Sequence, residues 1–371
     1  MKSVPQTQNL DSKNDSKDEN SLFGEISNLY SEYFKYAIKR KWLEIPTDLP
    51  HREIGFGITK KVDNRNICFE NNIDYLKWVL KNSPFHLYKS LSYMEHPENM
   101  GGANQKKLFR REIAFDIDTH KTEKCKHDEN WLCEHCLEEA KNQTLILIDE
   151  YLIPFFGFSK NDLKIVFSGN RGYHIYIDPK DEQIKEEIEH WGKNERRYFI
   201  EFILGKNLSL NHMGSAWKTI LTNQFKKNKF PIKSFKNTNN WDKELNKATR
   251  EKSKPLLLDI INKTKNRLEL DEKVMDDDIR LLRTVGSLHG FTGFMVKEIK
   301  YDTLSNGFFE PLSDAVFSEF SKTYYDIQIN TAIDEVTIKN EQYTKESKEV
   351  PASLLLFLYG HGINFEILEK Y

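Results

Sequence analysis

Apolar positions along this chain follow two periods, and the change of period marks the elements. From Leu22 to Lys41 they recur at helical spacing through Leu22, Ile26, Leu29, Tyr30, Tyr33, Phe34, Ala37 and Ile38. IGFGI (54–58) and NICFE (66–70) read as short strands of a hairpin or meander. Ile73 to Lys81 reads as a helix that stops before Pro84. At Ile113 the period drops to two: Ile113, Phe115 and Ile117 alternate with Ala114, Asp116 and Asp118. Side chains two apart on a strand share a face, so the two aspartates stand side by side while Ile117 turns into the core. Asn142 to Phe156 reads as a helix, LKIVFSG (163–169) and YHIYID (173–178) as strands, and Asp181 to Ile203 as helix. Asp276 to Leu282 fits either helix or strand, and Leu354 to Gly360 begins a C-terminal helical segment. Strands and helices mix without regular βαβ alternation, which predicts an α+β or mixed α/β core with an inserted helical lobe.

Composition narrows the class. The 371 residues are 38% hydrophobic and 30% charged, enough for one large or two ordinary soluble domains. Residues 1–21 are polar and carry no apolar signal-peptide core, so they read as a disordered tail. No apolar run reaches membrane-spanning length. Three of the four cysteines fall within Cys125 to Cys136, a clustering that favours a metal over a disulfide framework and a reducing cytoplasm. The net charge is −2, but residues 216–267 hold 14 Lys and Arg against 4 Asp and Glu, an excess of +10. Trp217, Phe225, Phe230, Phe235 and Trp241 are interleaved with those lysines. Such a pattern suits either a nucleic acid, with bases stacked on the rings, or a lysine-rich solvated surface.

Three stretches carry candidate chemistry. The paired Asp116 and Asp118 raise each other's pKa unless a cation lies between them. CKHDENWLCEHC supplies Cys125, His127, Cys133 and Cys136, three thiolates and an imidazole suited to a closed tetrahedral zinc site; His120 and His135 are alternative fourth ligands. FSGNRGYHIYI turns through two glycines and reads either as an ordinary tight hairpin or as a phosphate-cradling turn, where Ser168, Arg171 and His174 offer donors. Further along, DEKVMDDDIRLLRTVGSLHG contains Asp271, the triplet Asp276 to Asp278, Arg280, Arg283, Ser287 and His289. The triplet also fits a helix N-terminus.

In this order, FDID, C-x-H-x5-C-x2-C, SGNRGYH and RTVGSLHG resemble the catalytic small subunit of archaeal and eukaryotic DNA primase. REIGF (52–56), PFHLYKSLSYMEHP (84–97) and EVPASLLLFLYGHGINFE near the C-terminus extend the likeness, which is weakest through 181–267. The resemblance implies primer synthesis on single-stranded DNA by two-metal nucleotidyl transfer, with Asp116, Asp118 and Asp271 holding two Mg2+ or Mn2+ ions. Asp271 is preferred to the triplet because its distance to His289 fits the family's spacing. Ser168, Arg171, His174, Arg283 and His289 would grip the nucleoside triphosphate; Arg65 could join them or be structural. The implied fold is a mixed α/β core around a β-sheet over 22–371. It carries a zinc knob at about 120–140 and a helical subdomain inserted at about 182–262. A large subunit, a single-stranded DNA template and a cytoplasmic, replisome-associated location (nuclear in a eukaryote) follow from the same likeness.

Departures from the family pattern are local. Val285 replaces a proline, Phe291 replaces a lysine whose charge Lys297 could supply, and Arg65-Asn66 replaces an Arg-His pair. Other readings are a stand-alone primase-polymerase or gap-filling relative, a catalytically silent nucleic-acid-binding scaffold, and a metal-dependent nuclease. The knuckle and the single-domain length disfavour the first. A silent relative need not keep the acids, and a nuclease has no use for the phosphate-gripping turn.

Overall fold

The computed structural model describes residues 22–128, 131–210, 212–230, 241–250 and 253–371. The 1–21 tail and Phe235 lie outside them. Two antiparallel sheets carry the centre. The first comprises β1 (Arg52–Gly57), β2 (Asn64–Ile67), β3 (His86–Met94) and β4 (Leu108–Arg111) in the order β2-β1-β3-β4. In the second, β5 (Ile113–Asp118), β6 (Leu163–Phe167), β7 (Gly172–Ile177) and β9 (Lys297–Ile299) take the order β5-β7-β6-β9. The short strand β8 (Leu281–Arg283) joins the first sheet on β3, setting Arg283 opposite Tyr88.

Ile113, Phe115 and Ile117 are buried on one face of β5, as the alternation predicts. Ala114 is buried as well, in a small core with Leu91, Val166, Tyr176, Val274, Leu282 and Val296 that lies between the sheets. The face bearing the aspartates is therefore an inter-sheet face, not an open one. Its other polar content is an ion network. Arg52 and Lys89 reach Glu112 at 2.5 and 3.1 Å, and Lys89 and Lys164 reach Glu44 at 3.4 and 2.8 Å. Burial alone would raise the Glu112 pKa, but Arg52 and then Lys89 hold it at about 2. β3 is buried at all nine positions, which removes the period-two signal that would mark it as a strand.

The helix Leu22–Lys39 buries Ile26, Leu29, Tyr30, Tyr33, Phe34 and Ala37, with Tyr30 stacked on Phe85 at 4.2 Å and Tyr33 edge-on to Phe317 at 5.2 Å. The helix expected from Asn142 starts earlier, as Glu134–Leu147, and continues through a π turn into Ile153–Phe156. The reason is the cysteine pair: Cys133 is its N-cap and Cys136 lies in its first turn. Asp181 to Ile203 is two helices, Glu182–Glu189 and Lys193–Ile203, the first capped by the Asp181 carboxylate accepting from the Gln183 and Ile184 N–H groups. From 182 to 265 the elements among the described residues are all helices, followed by Ser215–Lys227, Trp241–Arg250 and Lys254–Lys265. Trp217, Phe225, Phe230 and Trp241 are buried there, and Phe225 stacks on Trp241 at 5.8 Å. Those rings form a core and are not available to bases. The C-terminal helix Ala352–Gly360 is buried from Ala352 to Leu358. Among the described residues no helix is long and apolar enough to cross a membrane.

Candidate active site and metal-ligand cluster

A cleft of about 380 Å³ opens where β5, the β6–β7 turn and the loop after β8 converge. Lys61, Asp116, Asp118, Ser168, Asn170, Arg171, His174, Arg283, His289 and Phe291 line it, with Gly360 and His361 from the end of the C-terminal helix. Register explains the acids. Asp116 pairs with His174 across β5 and β7, and Asp118 pairs with Gly172. The His174 Nε2 atom lies 3.5 Å from the Asp116 carboxylate. Asp271 arrives by a separate route: Leu270 bridges to Ile117, and the Asp271 N–H donates to the Asp116 carbonyl at 3.0 Å. Asp271 is thus beside Asp116 although it does not form the cleft wall.

The carboxylates feel each other. Burial, with Asp271 adding to it against the pull of Arg280, raises the Asp116 pKa to about 6. Burial and then the charge of Asp116 raise Asp118, which is the exposed end of the strand. Asp271 accepts from the Lys273 N–H at 3.0 Å and pairs with Arg280. The hard oxygen donors and the raised pKa fit a divalent cation. The three aspartates do not converge as tightly as ligands of one ion, since they form no group with all donor atoms within 4.8 Å. A pair of ions several ångströms apart calls for such a spread set.

The turn from Ser168 to Gly172 is closed by the Ser168 N–H donating to the Gly172 carbonyl at 3.0 Å. Gly172 cannot carry a side chain, because a Cβ there would stand 2.1 Å from the Ile117 carbonyl oxygen. Gly169 takes φ +85°, and a Cβ would press on His289 at 2.7 Å. Behind the turn, Arg283 donates to His86 Nδ1 at 3.0 Å, and the Phe291 N–H donates to His289 Nδ1 at 3.2 Å. Both imidazoles therefore keep their proton on Nε2. Burial and then the charge of Arg283 lower His86 and His174 to about 3, and lower His289 as well. The histidines are neutral hydrogen-bond donors at ordinary pH. Asn170 Oδ1 and His174 Nδ1 are buried with no protein partner among the described residues, as expected of groups that meet a ligand.

Some expected residues are elsewhere. Arg65 does not reach the cleft; it forks onto buried Glu53 at 2.5 and 3.1 Å and donates to the Ile279 carbonyl at 2.8 Å. Lys297 donates to the Asp314 carbonyl at 3.0 Å and cannot replace the lysine absent at Phe291. Phe291 instead packs edge-on to His86 and His289, at 5.2 and 5.5 Å. The Asp276 to Asp278 triplet faces away, with Asp276 on Arg197 and Asp278 on Arg196. Lys61 was not foreseen: it comes from the loop between β1 and β2, which has no motif. His86 was foreseeable only as part of PFHLYKS. A separate cavity of about 520 Å³ lies behind Tyr173, on the other face of β7. Its Glu134, Glu138 and Glu310 make it unsuited to a triphosphate.

Cys125, His127, Cys133 and Cys136 bring their donor atoms within 4.8 Å of one another. The Cys125–Cys133 and Cys133–Cys136 sulfur separations are 3.6 and 4.0 Å, and Cys136 Sγ lies 3.9 Å from His127 Nε2. A tetrahedron with ~2.3 Å zinc–sulfur arms has edges of ~3.8 Å. His127 Nδ1 donates to the Asp128 carbonyl at 2.8 Å, which leaves the Nε2 lone pair for a metal. His120 pairs with Glu269 at 2.8 Å, and His135 is exposed on the helix.

Comparison with known proteins agrees with this arrangement. Residues 115–301, the span from β5 through the loop after β9, match the family model described as DNA primase small subunit. The chain is 62% identical over 351 residues to the DNA primase small subunit PriS of Methanococcus maripaludis, covering 94% of this chain and 98% of that protein. It is 52% identical to PriS of Methanocaldococcus jannaschii over 354 residues, covering 94% of this chain and 100% of that one. It is 26% identical to PriS of Thermoplasma volcanium, across 90% and 95% of the two chains. Likeness at this level spans both sheets, the Cys/His cluster and the cleft together, and the chain belongs to the DNA primase small-subunit family.

Proposed function

We propose that this chain synthesises short primers on a single-stranded DNA template, with Asp116, Asp118 and Asp271 as metal ligands. The observation that supports it most is the placement of Asp271 on the Asp116 backbone while β7 sets His174 against the same aspartate. The end of β5, with Asp271 fastened to it, then gathers three carboxylates beside a phosphate-binding turn. Two Mg2+ or Mn2+ ions held there would supply charge neutralisation and a more acidic primer 3′-hydroxyl. Ser168, Arg171, His174, Arg283 and His289 bind the nucleoside triphosphate: the guanidinium groups by charge, His289 by Nε2–H donation, and His174 through the Nδ1 atom that has no protein partner among the described residues. Zinc held by Cys125, His127, Cys133 and Cys136 is structural; it pins the segment that leaves β5 and starts the helix Glu134–Leu147. The helices between about 182 and 262 form an inserted subdomain, and a large subunit completes a cytoplasmic heterodimer.

The test is primer synthesis on unprimed single-stranded DNA with labelled nucleotides and Mg2+ or Mn2+, comparing the native chain with Asp116→Ala and Asp271→Ala. Template-dependent products lost in both variants support the assignment. Activity retained in Asp271→Ala removes it from the ligand set.

A further inference from the structure

The segment that follows Asp271 pairs with no strand along 274–279, apart from its hand-over into β8, so its peptide carbonyls need other partners. Arginines from three elements supply them. Arg111, at the end of β4, donates to the Val274 and Asp277 carbonyls. Arg65, on β2, donates to the Ile279 carbonyl. Arg196, on the helix Lys193–Ile203, donates through Nε to the Met275 carbonyl at 3.0 Å and through Nη1 to the Trp191 carbonyl at 2.8 Å, and its Nη2 pairs with the Asp278 carboxylate. Arg111 and Arg196 are buried, at 0% and 2% exposure. Asp271 is tied into the same turn, since its carbonyl accepts from the Val274 N–H at 3.0 Å.

We propose that Arg196 is a positioning residue for Asp271: its guanidinium clamps the 274–278 turn and thereby holds the third carboxylate in its place beside Asp116, within the spread set that a pair of divalent cations calls for. The inference rests on the reading of Asp271 as a metal ligand. Arg196 touches neither the cleft nor Asp271, so its effect passes through the turn. Without it the Met275 and Trp191 carbonyls and the Asp278 carboxylate lose their donor together, and the turn must shift to find water. Shifts of about 1 Å at a site suffice for roughly 10²-fold losses. The clamp also ties the helical run to the metal side of the cleft, because Arg196 is on a helix and the turn is on the sheet core.

The experiment measures Mn2+ binding to the full chain without nucleotide or DNA, from the loss of the free Mn2+ electron-spin-resonance signal. It compares the native chain, Asp271→Asn, Arg196→Met, Arg196→Lys and the exposed neighbour Arg197→Met. The expected result is a tenfold or greater weakening in Arg196→Met, with primer synthesis partly restored by excess Mn2+, and no change in Arg197→Met. Native Mn2+ affinity in a folded Arg196→Met chain overturns the proposal. If that variant does not fold, Arg196→Lys decides: it keeps the charge without the fork, so weakened binding supports the clamp and native binding overturns it. Native binding in Asp271→Asn sinks the ligand assignment instead, which separates the two failures.

Discussion

Neutralising Asp116 should make the metal-free protein more stable. The Asp116 side chain is 17% exposed, and its pKa rises from 3.8 to about 6 on folding. Burial is the main cause, with Asp271 adding to it. A raised carboxyl pKa means that the folded state holds the proton more tightly than the unfolded chain. Stability is therefore highest below pH ~4, falls as pH rises from there to ~6, and carries the full penalty above. The span corresponds to about 3 kcal/mol at neutral pH. Asp116→Asn removes the charge at nearly constant shape and leaves the backbone carbonyl that holds Asp271. In chelator at pH 7.5 the variant should melt higher by roughly 4 °C for a chain of this length. The gain should vanish by pH ~4. Mn2+ should then reverse the order, because it stabilises only the chain that binds it. Differential scanning calorimetry at pH 4 and 7.5, with chelator and with Mn2+, measures all of this. A variant less stable than the native chain at pH 7.5 in chelator would refute the electrostatic reading, as would a gain that does not depend on pH.

Other perturbations probe the rest of the framework. Glu112→Ala strands Arg52 and Lys89 between the sheets and should cost about 3–5 kcal/mol in urea unfolding at pH 7. Because the Glu112 pKa is lowered to about 2, the stability it contributes is present above pH ~4.5 and lost as pH falls towards 2, so the cost of the substitution should shrink over that range. On the proposed zinc assignment, Cys133→Ser should lower the zinc released per chain, read colorimetrically, from one to none and should lower the melting temperature; full zinc content in the variant would exclude Cys133 as a ligand. Gly172→Ala forces a Cβ onto the Ile117 carbonyl and should cost on the order of 1–3 kcal/mol while raising the nucleotide KM, read from melting and steady-state kinetics. Lys61→Met should raise the nucleotide KM roughly tenfold with kcat nearly unchanged, as loss of one charge-assisted contact predicts; an unaltered KM would place Lys61 outside the binding site.

What was legible in the sequence follows from how local its cause is. The face shared by Asp116 and Asp118 depends on strand period alone, and the turn after Ser168 depends on glycines whose neighbours are close in the chain. The Cys/His cluster lies within a dozen residues and reads from spacing. Asp271 was found through resemblance, because its link to Asp116 is a backbone hydrogen bond across 155 positions that no pattern records. Lys61 and Arg196 carried no signal, since each meets its neighbours only in the fold. The aromatics at 217–241 misled for the opposite reason. Interleaving with lysine looks the same whether the rings face solvent or pack inward, and helix packing settled it at Trp217, Phe225, Phe230 and Trp241. β3 was hidden by burial on both faces.

Burial and the charges of the cleft explain why its histidines are neutral and how a phenylalanine can stand where the family pattern often has lysine. Asp116 and Asp118 stand on one wall, and Arg171, Arg283 and Lys61 on the others. A triphosphate with its metal ions brings both signs, so the protein needs donors that do not alter the balance when the ligand leaves. His174 and His289 line the cleft and meet that need, with His86 packed behind them, because burial and then Arg283 keep all three unprotonated. Two of them also have their tautomer set by a donor at Nδ1. Phe291 contacts two of these rings, and its backbone N–H is the donor that sets the tautomer of His289. The residue that removes a cation from the cleft is thus the one whose backbone and ring hold a neutral donor in place. Lys61, reaching in from the β1–β2 loop, is the positive group left to take over the missing charge.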